Sequence, residues 1–300
     1  MLSAHQLPEG SYLARAKVNL YLHVVGKRDD GFHLLDSLIV FAETGDVIAV
    51  EPAEQLTLTV DGPFAEGLAA EGDNLVLRAA RALAVEIGIT PRAHIKLTKN
   101  LPIASGIGGG SADAAAALRL LASLNNLSLD DPRLRKVALA TGADVPVCLF
   151  SRACDMTGVG EQLLPLALPS MPCVMVNPRV PVATKDVFKA LGLRNGELLV
   201  GATDVLEAPA WPEEGASIAD WVEILKTVPN DLEASAMRIE PVIGDVLEAL
   251  RDSAGVKLAR MSGSGATCFA IFGASNDAHA AAEKIRGDHP GWWVHAGTLS

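Results

Sequence analysis

The amino-acid sequence predicts an α+β protein in two halves, and three observations lead to this prediction. Near the start, apolar and polar residues alternate as they do in half-buried strands. Capped helical patterns then alternate with short strands up to about residue 150. After residue 168, buried-type strands and helices are mixed. The division is therefore expected near residue 160, giving domains 1–160 and 161–300.

Alternation predicts the strands of the first half, and capped periodic segments predict its helices. The predicted strands cover residues 11–25, 34–52, 55–62, 93–100, 143–150 and 153–166, and the predicted helices cover residues 73–88, 111–124 and 129–142. The second strand is expected to break at Gly45-Asp46, since this pair is typical of a turn. Asp73 or Asn74 is expected to cap the first helix, which Gly88 ends.

The second half mixes the two patterns. Strands are predicted at residues 171–178, 256–261, 268–273 and 291–299, and helices on both sides of Pro241 within 230–255 and again at 277–287. Residues 195–220 are rich in Gly, Pro and Glu and predict a long loop.

Composition excludes some classes of function. The 300 residues are 49% hydrophobic and 20% charged, which is enough apolar material for two domains. The net charge of −11 argues against general binding to nucleic acid or to anionic membranes. No signal peptide and no spanning apolar run is apparent, so we expect a cytoplasmic protein. We also expect a monomer or a weak homodimer.

Cysteine and histidine spacing gives no metal pattern. The four cysteines, Cys148, Cys154, Cys173 and Cys268, form no C-x-x-C pair, and the histidines are scattered. Buried free thiols in a reducing compartment are expected, and no structural metal.

A glycine run, "PIASGIGGGSA" at residues 102–112, lies between a predicted strand and a predicted helix. Glycines let backbone N–H groups turn toward one point, and the following helix adds unpaired N–H groups and a partial positive charge. We interpret the run as a phosphate site, although a plain tight turn is the alternative. Asp113 is expected in the first turn of that helix, where a carboxylate suits the dipole.

Known phosphate loops can be compared with this run. No lysine follows the glycines, so the G-x-x-x-x-G-K-[ST] loop is absent. Gly106 and Gly108 match a dinucleotide fingerprint, but Ser111 occupies its third glycine position. A third pattern, P-x-x-x-G-[LI]-G-x-[GS]-S, fits well.

This third pattern resembles the central motif of the GHMP kinases, the superfamily of galactokinase, homoserine kinase and mevalonate kinase. Other matching pieces follow in the family's order: "AKVNLYL" at 16–22, "RDDGFH" at 28–33, "DNLVLRAA" at 73–80, "GADVPVCL" at 142–149, "GVGE" at 158–161, "NDLE" at 230–233 and "MSGSGATCFAIF" at 261–272. The chain most closely resembles the members that act on 4-diphosphocytidyl-2-C-methyl-D-erythritol.

The resemblance implies a fold and a reaction. The N-terminal domain would be mixed α/β with a left-handed βαβ crossover, and the C-terminal domain ferredoxin-like. ATP with Mg²⁺ would phosphorylate the 2-hydroxyl of cytidine-diphosphate methylerythritol, a step of non-mevalonate isoprenoid biosynthesis.

The resemblance also assigns residues. Lys17 and Asp144 would be catalytic, the carboxylate accepting or orienting the hydroxyl proton and the ammonium lowering that hydroxyl's pKa. ATP would bind along Pro102, Ile103, Ala104, Ser105, Gly106, Ile107, Gly108, Gly109, Gly110, Ser111 and Ala112. The other substrate would contact Asn19, Phe32, His33, Phe188, Gly265 and Thr267. Judged singly, each has an ordinary alternative, such as a surface lysine, a turn aspartate or a core phenylalanine.

This chain departs from the family at four positions. Phe32 replaces a frequent tyrosine, and Ser105 replaces a frequent glycine. Ala112 and Asp113 replace a frequent Ser-Asn pair, which removes a hydroxyl and adds a carboxylate near the expected phosphates.

Three other functions stay open at this point. The chain could be a GHMP kinase with a different acceptor, a non-catalytic relative that binds a phosphorylated ligand, or a dinucleotide oxidoreductase. A panel of acceptors, an assay for turnover and a test of NAD binding separate them.

Overall fold

The computed structural model describes residues 7–8, 10–66, 68, 74–198 and 209–300. The chain groups into two compact units that interleave along the sequence. Unit 1 comprises Met1–Lys17, Glu43–Ile103 and Gly108–Ser151, and unit 2 comprises Val18–Ala42, Ala104–Ile107 and Arg152–Ser300. The expected division into domains near residue 160 stays a prediction.

Strands and helices follow one another through both units. The strands are β1 (Ser11–Asn19), β2 (His23–Lys27), β3 (His33–Glu51), β4 (Thr57–Asp61), β5 (His94–Thr98), β6 (Cys154–Gly158), β7 (Gln162–Pro165), β8 (Met171–Asn177), β9 (Val256–Met261), β10 (Cys268–Phe272) and β11 (Trp293–Leu299). The helices are α1 (Leu75–Ile87), α2 (Gly109–Leu124), α3 (Pro132–Thr141), α4 (Val145–Phe150), α5 (Thr184–Ala190), α6 (Ile218–Thr227), α7 (Glu233–Ile239), α8 (Val242–Arg251) and α9 (Ser275–Asp288).

In unit 1, β5 lies between two partner strands. It pairs antiparallel with the end of β3, where Val47 faces Thr98, and parallel with β4, where Thr57 faces His94. Because β4 and β5 are parallel neighbours, the chain between them crosses over through α1. A βαβ unit is therefore present, and its left hand stays a prediction.

Helix α1 forms as its capping residues predict. The side chain of Asn74 accepts a hydrogen bond from the Val76 N–H, and Gly88 ends the helix with a φ of 74°. Helix α2 begins at Gly109, two residues before the predicted start, and buries the alanines 114–117. Small side chains on this face allow α2 to pack closely in the core of unit 1.

Two predictions in unit 1 are wrong. Strand β3 continues through Gly45 and Asp46 instead of breaking there. The glycine serves a close approach, because a Cβ on Gly45 would lie 2.2 Å from the Ala14 carbonyl oxygen. Residues 145–150 form α4 rather than a strand. The four residues Val145–Cys148 are all buried, and a short buried apolar run fits either element.

Unit 2 contains the predicted ferredoxin-like arrangement. Along the chain, β8 is followed by helices, then by β9, β10, α9 and β11. The strand order in the sheet is β11-β8-β10-β9, and all three pairings are antiparallel. This is the order expected of two split βαβ units. Val174, Val176 and Phe272 lie in its buried core.

The rest of unit 2 includes strands β2 and β6, which pair with the first half of β3, and β7, which pairs with β6. The predicted loop 195–220 is partly wrong, because α6 begins at Ile218. Ser217 and Asp220 form a capping box there, and Trp221 is buried. Residues 199–208 of that loop lie outside the described residues.

Two expectations from composition can be compared with the described structure. None of the helices described has the length and apolar character needed to cross a membrane. All four cysteines are free and buried, as predicted. The cytoplasmic location stays a prediction.

Gly45→Ala should lower the free energy of unfolding by about 1–3 kcal/mol, because its methyl group would collide with the backbone of β1. Gly287→Ala in α9 is the control, since a Cβ there meets no atom within 4 Å. Urea denaturation of both variants measures the effect. Equal midpoints for Gly45→Ala and wild type would show that β1 moves away at no cost.

Candidate active site

Lys17 and Asp144 meet in unit 1. The Lys17 Nζ lies 3.0 Å from the Asp144 Oδ2, although 127 residues separate them in the sequence (144 − 17). The Lys17 side chain is 5% exposed and that of Asp144 is 36% exposed. Strand β1 holds the lysine inside, and the N-terminus of α4 holds the aspartate at the surface. A buried ammonium thus faces a carboxylate that solvent reaches.

This arrangement suits reaction at a hydroxyl group. A carboxylate within reach of a ligand can accept or orient a proton, and a neighbouring ammonium stabilises the oxygen anion that develops. Because Lys17 is enclosed, its charge is screened little by water. The pair has the chemistry that the sequence predicts for it, and its catalytic role stays a prediction.

Gly108, a residue of the glycine loop, lies close to the side chain of Lys17. It is the N-cap of α2 with a φ of 65°, and a Cβ there would lie 3.2 Å from Cβ and Cε of Lys17. A larger residue at this position would therefore press first on the stem of Lys17. The sequence interpretation gave Gly108 only the task of leaving room for a phosphate.

The first turn of α2 is open to a ligand. In the described part of the chain, the first hydrogen bond within this helix runs from the Ala112 N–H to the Gly108 oxygen at 2.8 Å. The N–H groups of Gly109, Gly110 and Ser111 therefore have no acceptor inside the helix. Gly110 is exposed, and a Cβ there would meet no atom within 4 Å. Such a terminus attracts anions.

Gly106 has a different task from Gly110. In unit 2 a Cβ on Gly106 would lie 2.6 Å from the Ser262 carbonyl oxygen, and its φ is 74°. The Ser262 hydroxyl donates to the Gly106 oxygen at 3.1 Å, and the Thr267 N–H donates to the Ser105 oxygen at 3.0 Å. Gly106 therefore allows two backbone segments to pack, and its contact with a phosphate stays a prediction.

The other loop residues divide by exposure. Pro102, Ser105, Ile107 and Ala112 are buried and contribute packing. Ile103 and Ala104 are exposed, and Ala104 has a φ of 49°, which is rare outside glycine. The loop thus contains both structural residues and residues that a ligand can reach.

His33 and Phe188 stack in unit 2, with ring centroids 4.4 Å apart. They line a cavity of about 490 Å³ together with three lysines, Lys27, Lys185 and Lys189. Burial, and then the charge of Lys27, lower the pKa of His33, so the ring is neutral at neutral pH. Its buried Nε2 has no hydrogen-bond partner among the described residues. An aromatic wall with ammonium groups suits a planar base that carries phosphates.

The remaining predicted substrate residues differ in exposure. Phe32 is 58% exposed, whereas Asn19 is buried and its amide donates to the Ser37 hydroxyl at 2.8 Å. Thr267 is fully buried and accepts a hydrogen bond from the Asn177 amide at 2.9 Å. Gly265 has a φ of 83°. Asn19, Gly265 and Thr267 thus belong to a tightly packed region, and their contact with a substrate stays a prediction.

The prediction that Asp113 lies in the first turn of α2 is wrong, because the helix begins two residues earlier than predicted. It is buried, and its Oδ2 accepts a hydrogen bond from the Lys99 ammonium at 2.8 Å. The Asp113 side chain points into the core, so its carboxyl group lies near the glycine run in sequence without facing a ligand there.

The comparisons with known proteins agree with this geometry. Residues 74–152 match the family "GHMP kinases N terminal domain", and residues 216–290 match "GHMP kinases C terminal". A 4-diphosphocytidyl-2-C-methyl-D-erythritol kinase from Bradyrhizobium diazoefficiens is 76% identical over 286 residues, which is 95% of this chain and 96% of the relative. The chain belongs to this family of GHMP kinases.

Other relatives of this kinase extend the comparison. A protein of the same name from Rhodopseudomonas palustris is 61% identical, over 96% of each chain. The crystal structure of a 4-(cytidine 5'-diphospho)-2C-methyl-D-erythritol kinase is 33% identical, with a TM-score of 0.73 over 97% of this chain and 99% of that one. A homoserine kinase from Cytophaga hutchinsonii, at 17% identity and a TM-score of 0.60 over 98% and 96%, shares the fold. The predicted two-domain GHMP kinase fold is thereby confirmed.

The sequence interpretation missed several charged residues of this kinase. Lys185 and Lys189 flank Phe188 at the spacing of one helix face, which was a detectable sign. No local pattern in the sequence indicated a role for Lys27 or Asp46, because the residues that they contact are distant in the sequence. Among the described residues, no group of three or more His, Cys, Asp or Glu side chains could hold a metal ion.

Gly106→Ala should lower the free energy of unfolding by about 2–4 kcal/mol, because it adds both a collision and a left-handed alanine. Gly110→Ala should leave the stability unchanged or raise it by up to about 1 kcal/mol, because its Cβ points into open space. Denaturant midpoints distinguish the two. If Gly110→Ala were the more damaging, the assignment of tasks to the two glycines would be wrong.

Proposed function

We propose that this kinase transfers the γ-phosphoryl group of ATP to the 2-hydroxyl of 4-diphosphocytidyl-2-C-methyl-D-erythritol. The observation that carries the proposal is the Lys17–Asp144 contact of 3.0 Å, in a chain whose relatives of that name are up to 76% identical. The anion-attracting start of α2 and the aromatic cavity of unit 2 support it.

The acceptor hydroxyl is assigned to Asp144. As the oxygen–phosphorus bond forms, the hydroxyl proton passes to the carboxylate, and ADP leaves with the electron pair of the bond that breaks. Lys17 stabilises the alkoxide character that develops at the attacking oxygen. Because little covalent chemistry falls to the protein in such a transfer, positioning and charge supply most of the rate.

The triphosphate is assigned to the N–H groups of Gly109, Gly110 and Ser111. Mg²⁺ usually binds to one or two carboxylates plus substrate phosphates, so a kinase needs no complete protein cage for it. Asp144, which is partly exposed, has the donor chemistry for one such contact. When bound, the ion neutralises phosphate charge.

The cytidine diphosphate group is assigned to the cavity beside His33 and Phe188. Phe188 offers a stacking surface for cytosine, and the neutral His33 can donate one hydrogen bond and accept another. The three lysines of the cavity attract the diphosphate.

A different acceptor is the alternative to exclude. GHMP kinases with other acceptors share this fold, so fold alone does not select the substrate.

Purified protein should release ADP with the cytidine substrate and not with homoserine or mevalonate. Phosphorus NMR of the product should identify a 2-phosphate, and sedimentation should give a monomer or a weak homodimer. If the protein released ADP only with a different acceptor, the proposal would be refuted.

Asp144→Asn should lower kcat by about 10²–10⁴-fold, because the amide cannot accept the hydroxyl proton. ATP affinity, measured by calorimetry in the absence of Mg²⁺, should change little. Asp130→Asn removes an exposed carboxylate of the same charge and is the control. Turnover of Asp144→Asn near that of the control would contradict the assigned role.

Phe188→Ala should raise the KM for the cytidine substrate by about 5–150-fold, the equivalent of about 1–3 kcal/mol of base stacking. The KM for ATP should stay the same. Phe188→Tyr keeps the ring and should remain close to wild type. An unchanged KM for the cytidine substrate in Phe188→Ala would remove cytosine from this cavity.

A further inference from the structure

A group of buried charged residues lies behind the first turn of α2 and has no part in the proposed reaction. Lys99 Nζ donates to the Asp46 Oδ2 and, at 2.8 Å, to the Asp113 Oδ2. All three residues belong to unit 1 and are almost completely buried. Charges in such surroundings are costly unless they are paired, so the arrangement needs an explanation.

The three side chains hold both ends of the glycine loop. The Asp46 Oδ1 accepts hydrogen bonds from the N–H groups of Asn100, at 2.6 Å, and Leu101, at 2.9 Å, just before the loop begins. Asp113 lies on α2, just after the loop ends. The Asp46–Lys99–Asp113 group therefore sets the distance between the segment that leads into the loop and the helix that follows it. We call this group the clasp.

The clasp also lies close to the start of the helix. A Cβ on Gly109, the first residue of α2, would be 3.5 Å from Lys99 Nζ and 3.6 Å from Asp46 Oδ2. Any net charge on the clasp thus changes the electrostatic potential at the N–H groups that we assign to the triphosphate. With every member ionised, that charge would be −1 and would oppose an anion.

The hydrogen bonds distinguish the two carboxyl groups. Asp46 receives three donors, from Lys99, Asn100 and Leu101. Asp113 receives one, from Lys99, which it shares with Asp46. A single ammonium cannot neutralise two enclosed carboxylates, so a proton is most favourable on the carboxyl group that has fewer donors. Its buried Oδ1 has no partner among the described residues.

The charged groups around Asp113 act in opposite directions. Burial raises its pKa well above the usual range, Lys99 opposes this, and Asp46 on β3 raises the pKa further. Lys99 and Asp46 are the titratable groups that affect it within the part of the chain that the structure describes. Burial thus outweighs the attraction of the ammonium.

We infer that Asp113 is a positioning residue that keeps its proton, so that a neutral clasp holds the glycine loop and leaves the positive end of α2 free to attract the nucleotide. A neutral carboxylic acid here has the shape and the charge of an asparagine side chain. The nucleotide part of this inference rests on the proposed function.

The first test detects the proton itself. The infrared spectrum of the wild-type protein should contain the carbonyl stretch of a buried protonated carboxylic acid. Asp113→Asn should lack that band, and Asp130→Asn, which removes an exposed carboxyl group, should retain it. If the band is absent from wild type, or persists in Asp113→Asn, the inference is wrong.

The pH dependence of stability gives a second readout. The folded chain holds the proton and the unfolded chain releases it above the ordinary carboxyl range, so wild-type stability falls as the pH rises. Asp113→Asn lacks this proton, so its Tm relative to wild type should rise by about 2 °C or more between about pH 6 and pH 8. A Tm difference that does not change with pH would overturn the inference.

Kinetics test the positioning. Asp113→Ala should raise the KM for ATP by about 10–100-fold, because the loop loses its hold on α2. Asp113→Asn should restore it to within about 2-fold of wild type. A wild-type KM in Asp113→Ala, or an equally poor KM in Asp113→Asn, would overturn the inference. Should Asp113→Ala fail to fold, the infrared and pH measurements on Asp113→Asn still decide.

The two proposals can fail separately. If the wild-type protein does not phosphorylate the cytidine substrate, the proposed function is wrong, whereas the infrared band and the Tm still report on Asp113. If turnover is normal and the band is absent, only the inference about Asp113 fails.

Discussion

The unpaired N–H groups at the start of α2 are the constraint on which the candidate site depends. A helix that begins at Gly109 leaves them without acceptors, and the open space at Gly110 lets an anion approach. Whatever surrounds this turn must support it without adding negative charge or filling the space. The buried ammonium of Lys17 and the neutral clasp both meet that requirement.

Two buried lysines of unit 1, Lys17 and Lys99, have different tasks because their partners differ in burial. Lys17 pairs with a carboxylate that solvent reaches, so its partner remains available to a ligand. Lys99 pairs with carboxyl groups that are themselves enclosed, so it connects elements of the fold. Breaking such an enclosed pair typically costs about 3–5 kcal/mol, because the remaining charge cannot be solvated. The same residue type therefore serves chemistry at one position and architecture at the other.

Glycines in this kinase likewise have separate physical reasons. Gly45 allows two strands to approach, and Gly106 allows the loop to pack on the turn that contains Ser262. Gly108 accommodates the stem of Lys17, and Gly110 leaves open space for a ligand. A run of glycines in the sequence thus indicates that several close approaches occur together, and phosphate binding accounts for only part of it.

Local signals in the sequence were sufficient for elements whose ends are defined by their own residues. Asn74 and Gly88 delimit α1, and the buried strands β8 and β10 of unit 2 form as predicted. The family motifs predicted the fold and named Lys17 and Asp144. Tertiary structure alone decided that residues 145–150 are helical, that β3 continues through Gly45, and that Asp113 turns inward to Lys99. These outcomes depend on partners distant in the sequence, and the energies of burial and pairing that select them exceed local propensity.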